Sequence, residues 1–213
     1  MSQEDLFGNL ITTSTAQPAD ELQRYKTLTE LYTATKDCQK CRLSATRKHY
    51  VFGEGNEHAK VMLIGEAPGA DEDETGRPFV GRSGELLNKI LAAIKFTREE
   101  VYIANIIKSR PPNNRSPEPD EIQACLPYLI RQIELIRPKI ILALGKVAAN
   151  TLLGNSQAMN TMRGKVHTWR NIDVIVTYHP AALLRNPNWK RLCWEDVQLL
   201  RRLYDEKYAE PTR

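Results

Sequence analysis

Four short β-rich apolar runs alternate along the chain with segments of helical periodicity. They are KVMLIGEA at 60–67, VYIANII at 101–107, KIILALG at 139–145 and DVIVTYH at 173–179. The helical segments between them read SGELLNKILAAI (83–94), PDEIQACLPYLIRQIELI (119–136) and KVAANTLL (146–153), and a last helix begins near Trp189. Strands that are apolar on both faces need cover on both faces, and strands joined through helices run parallel. The pattern therefore predicts an α/β fold, a three-layer αβα sandwich with a central four-stranded parallel sheet. Sheets of this kind bind ligands beyond the carboxyl ends of their strands. GEAPG (65–69) follows the first run, Asn105 ends the second, Gly145 closes the third and His179 closes the fourth, so the four converge on one rim. The Pro-rich stretch KSRPPNNRSPEP (108–119) is expected on the same rim.

A chain of 213 residues is the size of one domain. Residues 1–20 lack periodicity and are read as a mobile tail, with 21–213 as the single domain and Asp20 as the cap of its first helix. No run approaches the roughly 18 apolar residues of a membrane span. The acidic start MSQEDLFGNL lacks the basic and apolar regions of a secretory signal, so a cytoplasmic protein with unpaired cysteines is expected. The net charge of +4 permits a basic patch without indicating nucleic acid by itself.

The glycines and prolines of GEAPGADEDETGRPFVGRSGELL suit either a ligand loop or structural turns; the orders GxxxxGK[ST] and GxGxxG are absent. Phe79 in this loop can plug the core or stack on a flat ring. Asn105 can close a turn or read a base edge with its amide donor and acceptor. His179 can cap its loop or donate to a developing anion; His49, His58 and His167 are read as surface or packing residues. Asp71, Glu72, Asp73 and Glu74 form a solvated cluster, or include a carboxylate that orients water. Cys38 and Cys41 in CQKC are open to zinc, iron–sulfur or redox use, and Cys125 tips the balance to a metal. Cys193 is read as a packing residue.

Together, GEAPG, GRPFVGRSGELL, NIIKSRPPNNRSPEP and HPAALLRNP resemble the family 4 uracil-DNA glycosylases, the iron–sulfur branch of the uracil-DNA glycosylase superfamily, from about Leu31 to Tyr204. The resemblance implies a uracil pocket of Gly65, Glu66, Ala67, Phe79, Asn105 and His179. It implies hydrolysis of the N-glycosidic bond of a flipped-out nucleotide in single- or double-stranded DNA by a monomer. His179 would steady the leaving anion near uracil O2, and Glu66, with Glu72 as a second carboxylate, would orient water. Lys108, Arg110, Arg115 and Arg185 would meet phosphates, and Leu183 or Leu184 would wedge into the gap left by the flipped base.

The family's [4Fe-4S] cluster would fall on Cys38, Cys41, Ser109 and Cys125, so a serine stands where the fourth cysteine is expected. A serine oxygen is a harder, more basic ligand than a thiolate. A cluster finished by serine or water, a three-iron cluster and no cluster are all open. Two readings compete with the glycosylase: a lesion-binding protein that has lost turnover, and a thiol redox protein built on CQKC.

Overall fold

The computed structural model describes residues 21–209. The mobile tail and the Asp20 cap lie outside the described residues. After a helical turn at 21–22, α1 (Leu28–Thr35) has its start set by Thr27: its hydroxyl accepts the Glu30 N–H at 3.1 Å while the Glu30 carboxylate accepts the Thr27 N–H at 3.3 Å.

Six strands form one sheet: β1 (Glu54–Gly55), β2 (Val61–Gly65), β3 (Tyr102–Asn105), β4 (Ile140–Leu144), β5 (Val166–Trp169) and β6 (Ile172–Thr177), in the order β1-β3-β2-β4-β6-β5. The four inner strands are those of the apolar runs and are all parallel. Their register sets Gly65 beside Asn105 at the end of β2–β3, and Leu144 beside Thr177 at the end of β4–β6. The strands are joined through α2 (Ala70–Thr75), α3 (Arg82–Ala93), α4 (Pro119–Ile136), α5 (Lys146–Leu153) and α6 (Met159–Met162), and β6 is followed by α7 (Pro180–Arg185) and α8 (Lys190–Lys207).

The sheet is thus wider than the four strands expected, because an antiparallel strand is added at each edge. The β1 strand is two residues long and pairs Glu54 with Ile103. The β5 strand pairs Val166 to Trp169 with Ile175 to Ile172. It returns through Arg170 and Asn171, both at positive φ (47° and 62°), which suits a tight hairpin. Neither edge strand is an apolar run, and Arg-Asn is a weak hairpin signal beside Asn-Gly, so both escaped a reading based on periodicity.

Side chains of the central strands alternate between two cores. Met62 and Ile64 of β2 pack with Leu129 and Ile133 of α4 and Leu152 of α5. Val61 and Leu63 face the other way, onto Leu87 and Leu91 of α3 and Val197 and Leu200 of α8. This makes the three layers, and explains why β2 and β4 are buried at every position. Truncating Leu87 or Leu129, both fully buried, to alanine would cost about 2–5 kcal/mol.

Candidate active site

A cleft of about 350 Å³ opens at the carboxyl ends of β2, β3 and β6, lined by Glu66, Ala67, Glu72, Phe79, Asn105 and His179 among others. Close approach at its floor depends on Gly65. A Cβ there would lie 2.4 Å from Asn105 Oδ1 and 2.6 Å from Phe79 Cζ. Any side chain at 65 would therefore push apart the two groups that wall the cleft.

Phe79 is buried yet holds φ at +52°, a conformation costing on the order of 1–3 kcal/mol for a residue with a side chain. The surroundings hold it there. Arg98 donates to the carbonyls of Phe79 (3.1 Å) and Pro78, and is itself paired with Glu54 at 2.6 Å. Gly84 makes room, since a Cβ would sit 1.8 Å from the Phe79 oxygen. On the other side of the loop the Glu72 carboxylate accepts the N–H groups of Gly69 (3.0 Å), Val80 (2.9 Å) and Gly81 (3.2 Å). Glu72 lines the cleft, and both of its oxygens are engaged by these amides. It latches the Phe79 loop from the cleft side.

His179 precedes α7 and its Nδ1 accepts the N–H of Ala181 at 3.1 Å. An accepting Nδ1 carries no proton, which leaves the ring's N–H on Nε2. Burial, reinforced by Arg185, pushes the His179 pKa down to about 4, so the ring is neutral at physiological pH. Its ring stands 5.4 Å from that of Phe79, tilted by 32°. Asn105 is buried, and its side-chain oxygen has no hydrogen-bond partner within the protein. A buried acceptor left open costs about 1–3 kcal/mol unless a ligand fills it.

Of the expected DNA contacts, Arg115 and Arg185 line the cleft and Leu184 is exposed. Arg115 also pairs with Glu121 at 2.6 Å, and Arg110 donates to Asn114 Oδ1 at 2.7 Å. Two of the residues expected to meet DNA are buried instead. Leu183 is buried in the core against α3 and α8, so it cannot wedge into DNA. Lys108 is fully buried and its ammonium points inward, to the Asn105 carbonyl (3.0 Å) and Gln132 Oε1 (2.6 Å). Burial pushes its pKa down to about 7, opposed by Cys125. It has no route to a phosphate. The acidic run is also not simply solvated: Asp73 is buried and accepts the Lys48 N–H at 3.0 Å. Arg98, Glu54 and Gln132 had no sequence signal, because their roles come from contacts distant in the chain.

The four positions that the resemblance gives to a cluster, Cys38, Cys41, Ser109 and Cys125, differ in burial and in partners. Cys38 and Cys41 are half-buried and Cys125 buried, and none is in a disulfide. Cys38 Sγ and the Tyr128 hydroxyl lie 3.2 Å apart, Cys125 Sγ accepts the Lys108 N–H at 3.2 Å, and Ser109 Oγ accepts from Arg47 at 3.2 Å. Among the described residues no three His, Cys, Asp or Glu side chains are grouped to hold a metal ion. Three thiols and a neutral hydroxyl already engaged by a guanidinium do not make the four-thiolate set a [4Fe-4S] cluster takes.

The family profile of the Uracil DNA glycosylase superfamily matches residues 52–198. The chain is 46% identical over 181 residues to a type-4 uracil-DNA glycosylase of Saccharolobus solfataricus, covering 81% of this chain and 84% of that relative. It is 41% identical over 195 residues to the type-4 uracil-DNA glycosylase of Archaeoglobus fulgidus (88% and 97%) and 44% over 167 residues to that of Thermotoga maritima (76% and 87%). The matched span contains every residue that lines the cleft, and on these grounds the chain belongs to the uracil-DNA glycosylase superfamily, in its type-4 branch.

Proposed function

We propose that this chain is a monofunctional uracil-DNA glycosylase, hydrolysing the N-glycosidic bond of a flipped-out deoxyuridine to release uracil and leave an abasic site. The open Asn105 oxygen carries the reading. It is a buried acceptor beside an aromatic face, and uracil offers an imide N3–H to it where cytosine offers only a lone pair. Phe79 stacks on the flipped ring. As the bond to the sugar breaks, negative charge gathers on uracil, and the neutral His179 donates its Nε2–H to O2. A preorganised donor of this kind contributes about 3–4 kcal/mol. Water adds to the sugar carbon, its proton ends on the departing base or solvent, and Glu66 orients it, since Glu72 is engaged elsewhere.

Arg115, Arg185 and Arg110 supply phosphate contacts at the rim, and Leu184 takes the wedge role. The substrate is taken as single- or double-stranded DNA. No helix of the described residues is long and apolar enough to cross a membrane, and the unpaired cysteines suit the reducing cytoplasm. Release of free uracil from a uracil-containing oligonucleotide tests the proposal. Tight binding without release would favour the lesion-binding alternative, and a borohydride-trapped covalent adduct would contradict simple hydrolysis.

A further inference from the structure

The cleft explains Asn105's side chain but leaves unexplained what holds its backbone. The β3 strand ends at Asn105, and the next two residues cross to β2's exit, Ile106 N–H to Gly65 O (2.9 Å) and Ile107 N–H to Glu66 O (3.2 Å). The carbonyl of Asn105 is buried and needs a donor. That donor is the Lys108 ammonium at 3.0 Å.

Lys108 is unusual in its surroundings. It is fully buried, and its two acceptors are neutral, the Asn105 carbonyl and the Gln132 side-chain oxygen at 2.6 Å. Burying an ammonium without a carboxylate partner is costly, which is why buried lysines are rare. Gln132, also fully buried, is fixed in turn: its Nε2 donates to the Phe52 carbonyl at 3.0 Å and toward the Tyr102 hydroxyl at 3.4 Å. That leaves Oε1 facing the lysine. The Lys108 backbone is pinned too, its N–H on Cys125 Sγ (3.2 Å) and its carbonyl taking the Val51 N–H (2.9 Å). The ammonium therefore sits on a fixed base and links α4 to the last residue of β3.

We infer that Lys108 is a positioning residue: braced by Gln132, it fixes the backbone of Asn105 and so aims the Asn105 amide at the imide edge of the base, tightening selection of uracil. This rests on the reading of Asn105 as the group that reads the base. A surface lysine would act on DNA affinity; this one acts on the pocket.

The test is a double-mutant cycle on single-turnover excision. Lys108→Met keeps the length of the side chain and removes the donor. It is expected to slow excision about tenfold or more in the native background but by less than about threefold when Asn105 is already alanine, with affinity for undamaged DNA within about threefold. Equal losses in both backgrounds would overturn the inference, because a general weakening of the fold does not depend on Asn105. Gln132→Met, which leaves Lys108 in place, should give a smaller loss with the same dependence on Asn105; no loss, or one that is independent of Asn105, overturns the brace even if Lys108→Met does not fold. The side-chain amide resonance of Asn105 reports the brace without turnover, and it should shift in either variant. If the native chain releases no uracil, the reading of the pocket fails, and the brace stands or falls on that resonance alone.

Discussion

The imidazole of His179 is bound through Nδ1 to the N–H of Ala181, two residues on, at 3.1 Å. This short link decides which nitrogen carries the proton, and with the ring's low pKa it presets a neutral donor facing the cleft. His179→Ala removes that donor. Single-turnover excision should fall by about 10²- to 10³-fold while DNA affinity changes by less than about threefold, because the hydrogen bond strengthens only as the base departs. A rate within threefold of the native chain would show that His179 is not the electrostatic group.

The same residue sets an expectation for pH. The His179 pKa is lowered from 6.5 to about 4 in the folded protein, so between these values the unfolded chain binds the proton more tightly than the folded one. Its contribution to stability is complete above about pH 6.5 and is lost as pH falls through about 4. The chemical step should show no inflection from His179 between about pH 6 and 8. A titration of the His179 ring by NMR checks this directly, and a midpoint above about 6 would contradict a neutral donor.

Gly65→Ala tests the floor of the cleft. The added methyl would meet Asn105 Oδ1 at 2.4 Å and Phe79 Cζ at 2.6 Å, and neither group has free space, being buried and held from behind. Excision should fall by more than about 100-fold, with a loss of stability of about 1–3 kcal/mol seen in thermal melting. Near-native activity would mean that Phe79 and Asn105 can part without consequence.

Glu72 separates a latch from a catalyst. Glu72→Ala leaves three backbone N–H groups without their carboxylate and should lower the melting temperature as well as the rate. Glu72→Gln keeps an acceptor oxygen for the amides of Val80 and Gly81 and should recover most of both. A glutamine variant as slow as the alanine variant but fully stable would return Glu72 to the chemistry.

Much of the fold is legible in the chain because its inner strands are doubly covered and therefore apolar throughout, as VMLIG and IILAL are. The edge strands are not, and their pairing is visible only in three dimensions. That GEAPG, Asn105 and His179 meet at one rim follows from the strand ends, whereas Phe79 lies in the loop beyond GEAPG and is marked as a pocket residue only by the family resemblance. The partners of Lys108 and Glu72 are not legible in the chain: a charged residue in a polar loop is usually solvated, and nothing local reveals that a carbonyl or three amides await it. Leu183 and Leu184 are neighbours of identical type, and only the turn of α7 decides that the first faces the core and the second solvent.

Ser109→Cys probes the one position at which the chain departs from the four cysteines of the family it resembles. Ser109 Oγ takes a hydrogen bond from Arg47, and Cys38, Cys41 and Cys125 are free thiols. A fourth thiolate is softer and less basic than a serine oxygen and holds iron more firmly. Purified without oxygen, the cysteine variant should contain more iron per chain than the native protein, absorb more strongly in the visible and melt higher, since a group bound to the folded state alone adds stability. Uracil excision should stay within about threefold, because the backbone of Asn105 is held by Lys108 and not by residue 109. Equal iron and equal melting in the two proteins would mean that the fourth thiolate has no bearing on this chain. A large gain in the chemical rate would mean that the cysteine-bearing end of the 105–125 segment, and not the lysine brace, positions Asn105.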